Sequence, residues 1–206
     1  MSIDFAVVLL IALASSGASS SPGEDVPVKI KVKGDRLIVR DKTKPIRKEL
    51  EIQYAKLADA IERRDHVAFQ ALRTADFHTV DEQGRPQTPQ QMSDRARAML
   101  ASIQPPIKTT NTIGTIDVHG NDAKATVRQY FSKMLPLAGK LRRVETYVTQ
   151  DETWTKTEDG WKLKFVDGVR DGETYVDGKR IEPGKPYDPD ALPYDPKKPT
   201  DREPRK

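Results

Sequence analysis

Glu152 stands two residues after Gln150 and two before Trp154, and Val144, Thr146 and Val148 continue the same period upstream. On a β-strand these side chains share one face. A carboxylate on an otherwise apolar face is the kind of group that moves a proton at carbon. Desolvation shifts its pKa toward neutrality, and a nearby donor can stabilise the oxyanion that forms. The same alternation places Gln129 between Val127 and Phe131. Tyr54 adds a phenol from a helical segment, His78 lies beside Asp76 on a short strand, and Asp167 ends the strand that starts at Trp161. Two chemistries fit this set. An isomerase or dehydratase would use His78, Glu152 or Asp167 as base, with Tyr54 or Tyr130 as donor. Alternatively a base such as Arg128 or Arg170 neutralises Glu152, which then stays ionised and structural; the many Lys and Arg residues of this region favour the second outcome. Tyr54, His78, Gln129, Gln150, Glu152, Trp154 and Asp167 form the candidate pocket, with no residue assigned as catalytic.

Other chemistries are excluded or unsupported by residue type. The chain has no cysteine, so disulfides, thiol catalysis, iron–sulfur clusters and cysteine zinc sites do not arise. Of the three histidines, His66 follows Asp65 at a helix start and His119 precedes the Gly120-Asn121 turn. Their spacing suits no metal site, and no phosphate-cradling glycine loop, Gly-x-Ser-x-Gly elbow or His-Glu-x-x-His pair occurs. No cofactor or metal is expected. The formal charge is only +4, and the lysines of KIKVK and the Arg142-Arg143 pair lack interleaved aromatic residues. These bases read as a solvated strand face, and nucleic acid is not an expected partner.

The elements that must position the site follow from periodicity. Ile46, Leu50, Tyr54, Leu57 and Ile61 recur at helical spacing, so a long first helix has one apolar face. Asp65 caps a short second helix, HVAFQALR. Thr88, Pro89 and Gln91 announce a third with a capping box, Met92, Ala96, Met99, Leu100 and Ile103 line its buried side, and Pro105-Pro106 stops it. Beyond the prolines the period falls to two. Ala123, Ala125, Val127 and Phe131 alternate with polar residues, and Asn121-Asp122, Asp159-Gly160 and Asp177-Gly178 mark turns. In GWKLKF, Trp161, Leu163 and Phe165 are expected on one face. VKIKVKGDRLIVR, at 28–40, reads as a further hairpin. Helices first and strands later predict an α+β domain.

Three pieces of this pattern resemble the NTF2-like superfamily, in particular its SnoaL-like and DUF4440-type bacterial members: ERRDHVAFQAL closing the first helix, ADFHTVDEQGRPQTPQQM leading through a glycine turn into the capped helix, and ETWTKTEDGWKLKF with its paired tryptophans. The resemblance spans roughly residues 46 to 170. It implies a cone in which three N-terminal helices pack on a strongly curved antiparallel sheet, a pocket in the mouth of the cone, and commonly a homodimer. The superfamily hosts isomerases, dehydratases, cyclases and binding modules, so the fold does not choose a function. Family members often carry Asp where this chain has Glu152, and His soon after the second tryptophan, where this chain runs through Phe165-Val166-Asp167. A transferred acid–base role is weakened at both positions.

Both ends change character. FAVVLLIALA at 5–14 is apolar, too short to span a bilayer and followed by SSGASSSPG. It reads as the core of a cleaved export signal, with cleavage between about residues 14 and 20 and no membrane anchor afterwards. Seven of the fifteen prolines lie between Pro183 and Pro204, which predicts a solvated, disordered extension. The expected organisation is therefore a signal peptide at 1–20, hairpin and linker at 21–44, an NTF2-like domain at 45–182 and a proline-rich tail at 183–206. The function expected is that of an exported accessory module that binds a small molecule or a protein partner, with the isomerase or dehydratase as its alternative.

Overall fold

The structure, a computed structural model, describes residues 30–33, 36–39, 43–80, 85–183, 185, 187–191 and 193–194. The apolar run at 5–14 and the last twelve residues of the tail, 195–206, lie outside them. In chain order the elements are β1 (Ile30–Lys33), β2 (Arg36–Val39), α1 (Thr43–Glu62), α2 (His66–Ala71), β3 (Arg73–Val80), β4 (Pro86–Gln87), α3 (Pro89–Ser102), β5 (Gln104–His119), β6 (Asp122–Leu137), β7 (Lys140–Thr157), β8 (Gly160–Val176) and β9 (Lys179–Ile181). β1 and β2 pair antiparallel as a two-stranded sheet of their own.

The caps act as the sequence predicts. The Asp65 carboxylate accepts the Ala68 N–H at the start of α2. Thr88 and Gln91 exchange the two bonds of a capping box ahead of α3, with Pro89 in its first turn. On α1, Leu50, Tyr54, Leu57 and Ile61 are buried, as the helical spacing requires. Arg47 fixes the start of this helix to β5 by donating to the carbonyls of Ile113 and Gly114, each at 2.7 Å.

The other seven strands form one curved sheet in the order β4-β3-β8-β7-β6-β5, with β9 added to β8. β5 to β8 are long and antiparallel, each joined to the next by a tight turn. The sheet is not antiparallel throughout, however: β3 runs parallel to β8. The chain between them passes through α3 and four strands, so no hairpin dictates their relative direction. Along β7 the buried residues are Val144, Thr146, Val148, Gln150, Glu152 and Trp154, and along β6 they include Ala123, Ala125, Val127, Gln129 and Phe131. This inner face packs with the buried sides of α1 and α3 in a single core.

Two expectations need correction here. Thr153 pairs with Phe165 whereas Trp154 pairs with Leu163, so β8 carries one extra residue, Lys164, at this point. The bulge turns Phe165 away from the face of Trp161 and Leu163. The tail is not wholly solvated either. Tyr187 packs against the core with the Arg142 guanidinium 5.3 Å from its ring, and the Tyr194 N–H donates to the Arg180 carbonyl at 3.0 Å. Composition could not register single aromatic anchors in a proline-rich stretch.

Candidate functional site

Strand parity on β7 and helical spacing on α1 bring four of the expected residues together. The Tyr54 hydroxyl donates to Glu152 Oε2 at 2.7 Å. The Trp154 indole N–H reaches the same oxygen at 2.9 Å and the Tyr54 oxygen at 3.1 Å. Gln150 Nε2 donates to Glu152 Oε1 at 2.6 Å. The Tyr54 and Trp154 rings meet edge to face, with centroids 5.2 Å apart. Glu152 is 2 % exposed and Trp154 fully buried. The carboxylate thus lies on the inner face of the sheet, beneath α1, with donors on both oxygens.

Electrostatics at this carboxylate is dominated by lost water. Burial raises the Glu152 carboxyl above its ordinary value, against the bonds from Tyr54, Gln150 and Trp154 and the charge of Arg73, which pull it down. Burial likewise pushes the Tyr54 phenol well up, and the neighbouring Glu152 charge adds to the effect. The compensating base is neither of those expected. Arg170 forms an ion pair with Asp151 at 3.2 Å, and Arg128 donates to Thr149 at 3.2 Å, both on the opposite face of β7. Arg73, the first residue of β3, supplies the field instead.

Arg73 and Lys133 are the inward charges that the sequence reading passed over. The Arg73 guanidinium carbon sits 4.2 Å from the Phe69 ring centroid and 4.1 Å from that of Phe77. Burial pulls the guanidinium down to about 9, and the Glu152 charge raises it. Lys133 is 2 % exposed with its ammonium 4.2 Å from the Phe131 ring, and burial lowers it to about 8. Parity carried a signal for both: Lys133 continues Val127, Gln129 and Phe131, and Arg73 lies an even number of strand residues from buried Phe77.

The remaining expected residues are elsewhere. Gln129 is on the inner face but donates to Asn111 on β5 at 2.9 Å. His78 pairs in register with outward-turned Phe165, and their rings lie 4.6 Å apart. Asp167 opposes Asp151 in the ladder, also on the outer face. Burial raises its carboxyl, Lys124 and Arg170 lower it, and Asp151 raises it further. The bulge at Lys164 is the physical reason that Asp167 loses the parity of Trp161. Tyr130, the other proposed donor, points outward to Glu145 at 2.7 Å. Neither His78 nor Asp167 can then share a substrate with Glu152. Among the described residues no group of three or more His, Asp or Glu side chains is arranged to hold a metal ion.

Chemically, the inner site is a buried acid inside a set of donors. Three of its lone-pair positions are filled by Tyr54, Trp154 and Gln150. Two neighbouring groups remain unanswered: Gln150 Oε1 lacks a donor, and Arg73 Nε and Nη1 lack an acceptor, though all three atoms are buried. Buried polar atoms without partners are rare and call for an explanation.

No family model and no curated protein matches the chain. Solved structures do match. A protein from Novosphingobium aromaticivorans named as a scytalone dehydratase is 15% identical, with a TM-score of 0.52 over 64% of this chain and 87% of that one. The Kfla4162 protein of Kribbella flavida is 16% identical, with a TM-score of 0.51 over 63% and 96%. A type 2 hexachlorocyclohexane dehydrochlorinase is 11% identical, with a TM-score of 0.50 over 71% and 96%. At such identities the likeness concerns the fold alone, and it agrees with the curved mixed sheet and helices described above: the chain has the fold of the NTF2-like superfamily.

Proposed function

We propose that this chain is an exported NTF2-like binding module that holds a small organic molecule inside its cone without transforming it. The observation that carries this reading is the way the Glu152 donors are spent. Tyr54, Trp154 and Gln150 all point at the carboxylate, so no phenol or indole is left to stabilise an oxyanion on a substrate. The unanswered Gln150 Oε1 asks instead for a donor from a guest. Export rests on the apolar run at 5–14 and the small residues after it, with cleavage between about residues 14 and 20. A homodimer belongs to the same proposal on the family resemblance.

Native mass spectrometry of protein purified without denaturation tests the reading. An organic molecule bound to the chain and released unchanged on unfolding is the expected result. A chain that carries nothing and binds neither benzoate nor benzamide overturns it. The isomerase or dehydratase reading is favoured by one observation, the burial that raises the Glu152 carboxyl beside Tyr54. Carboxylate NMR titration with Glu152→Gln as assignment control separates the two. An apparent pKa above about 6, against an unperturbed value near 4.3, would make Glu152 a poised proton-transfer group.

A further inference from the structure

We propose that the contact between Tyr187 and Arg142 is a latch, and that the loop carrying Tyr187 is a cover that opens from the inner face at the end of β7 opposite Trp154. The proposal is independent of whether the cone holds a guest. The sequence Tyr-Asp-Pro occurs twice, at 187–189 and 194–196, and each tyrosine meets an arginine of the sheet. The Arg142 guanidinium carbon lies 5.3 Å from the Tyr187 ring centroid, and that of Arg180 lies 5.8 Å from the Tyr194 ring centroid. The two anchors are not equal. At Tyr194 the backbone N–H also donates to the Arg180 carbonyl at 3.0 Å, so the chain that leaves β9 is tied back to β9 in a closed loop. Tyr187, between these ends, is held by its ring alone, on Arg142 and against the core.

Position makes this contact a cover. Arg142 has the strand parity of Val144, Thr146 and Val148, so it belongs to the inner face, and its register partner Leu135 is buried. α1 covers the other end, where Tyr54 bonds Glu152 and Glu49 bonds Lys156 and Trp161. The hold on the loop is weak. Among the described residues, those from Glu182 to Pro193 hydrogen-bond only to one another: Lys185 bonds Glu182 through both backbone and ammonium, and Asp188 accepts from Asp190 and Ala191. Prolines at 183, 189 and 193 have no N–H with which to join the sheet. One cation–π contact and one partly buried ring therefore hold the tip, while full ladders hold the strands beneath it. A segment held so lightly opens locally while the rest stays folded. Arg142 stays in place when it does, because Asp177 accepts from its Nη1 at 2.8 Å independently of the loop.

The chain has no cysteine, so a single introduced thiol reports the opening. Leu135→Cys places it beside Arg142, and Val127→Cys places it in the fully buried core. Each is made in the full chain and reacted with dithiodipyridine in the absence of denaturant. Adding Tyr187→Ala is expected to speed the reaction of Leu135→Cys at least about fivefold, the scale of a lost, partly desolvated cation–π contact. Tyr187→Phe keeps the ring and should leave the parent rate. Arg142→Gln removes the cation from the other side of the contact and should also speed the reaction; it serves if Tyr187→Ala does not fold. Val127→Cys should react at one slow rate in every background. Equal rates for Leu135→Cys in all backgrounds would mean that Tyr187 covers nothing, and an acceleration shared by Val127→Cys would mean that its loss loosens the whole core. Either result overturns the inference.

Discussion

Two carboxylates among the described residues accept an indole N–H, and their carboxyls are shifted in opposite directions. Glu49 on α1 accepts from Trp161 at 2.6 Å and from Lys156, and with its side chain 46% exposed its carboxyl is lowered, first by the Lys156 bond and then by that of Trp161. Glu152 accepts from Trp154, Tyr54 and Gln150, one bond more, yet its carboxyl is raised. Hydrogen-bond count therefore does not set the protonation balance in this fold. Loss of water outweighs three neutral donors on the inner face. At the rim, one ammonium and one indole outweigh a small desolvation.

The largest expected effect is on the indoles themselves. Trp154→Phe and Trp161→Phe both remove ring volume from buried positions, so the difference between them isolates the N–H. Withdrawing a donor from a buried carboxylate costs about 1–3 kcal/mol, whereas solvent replaces one at an exposed carboxylate. Urea unfolding at neutral pH should thus place Trp154→Phe below Trp161→Phe by about that amount. Equal losses would mean that water reaches Glu152 and the comparison is void.

The next effect is one of sign. For Glu152 the folded-state pKa is raised, so between the unfolded and folded values the native state binds more protons. Wild-type stability relative to Glu152→Gln is then greatest below the unfolded value near 4.3, and falls as pH rises until the folded carboxyl ionises. Glu49 runs the other way: its folded value is depressed, so stability relative to Glu49→Gln is present above the unfolded value and lost as pH falls through the folded one. Unfolding midpoints of the three proteins across the acid range check both slopes. Parallel slopes for the two variants would contradict the opposite assignments.

Much of this site was legible in the sequence because strand parity is a strict rule. Gln150, Glu152 and Trp154 follow from it, and helical spacing adds Tyr54. What parity cannot foresee is a bulge. One extra residue at Lys164 sends Phe165 and Asp167 to the outer face, and no local signal in GWKLKF distinguishes it. His78 was misplaced for a related reason, since the parallel register of β3 on β8 is set by packing between segments far apart in sequence. Arg73 and Lys133 were readable by the same parity that found Glu152. The caps of α2 and α3 needed only local chemistry, and they match the sequence residue for residue.

The smallest expected effect concerns salt, and it sharpens the comparison where the pH experiment is least sensitive. Glu49→Gln keeps an acceptor for the Trp161 indole and removes only the charge that faces Lys156. At neutral pH the gap between wild type and this variant therefore measures an exposed ion pair, worth about 0.2–1 kcal/mol. Raising NaCl from about 0.05 M to about 1 M shortens the screening length to roughly 3 Å, comparable with the contact itself. The gap should close to within the error of a urea midpoint. Glu152 is buried away from bulk ions, so the corresponding gap for Glu152→Gln should hold across the same range. If the Glu49 gap persists in high salt, the variant has disturbed the indole bond, and the lowering at Glu49 belongs to Trp161 rather than to Lys156.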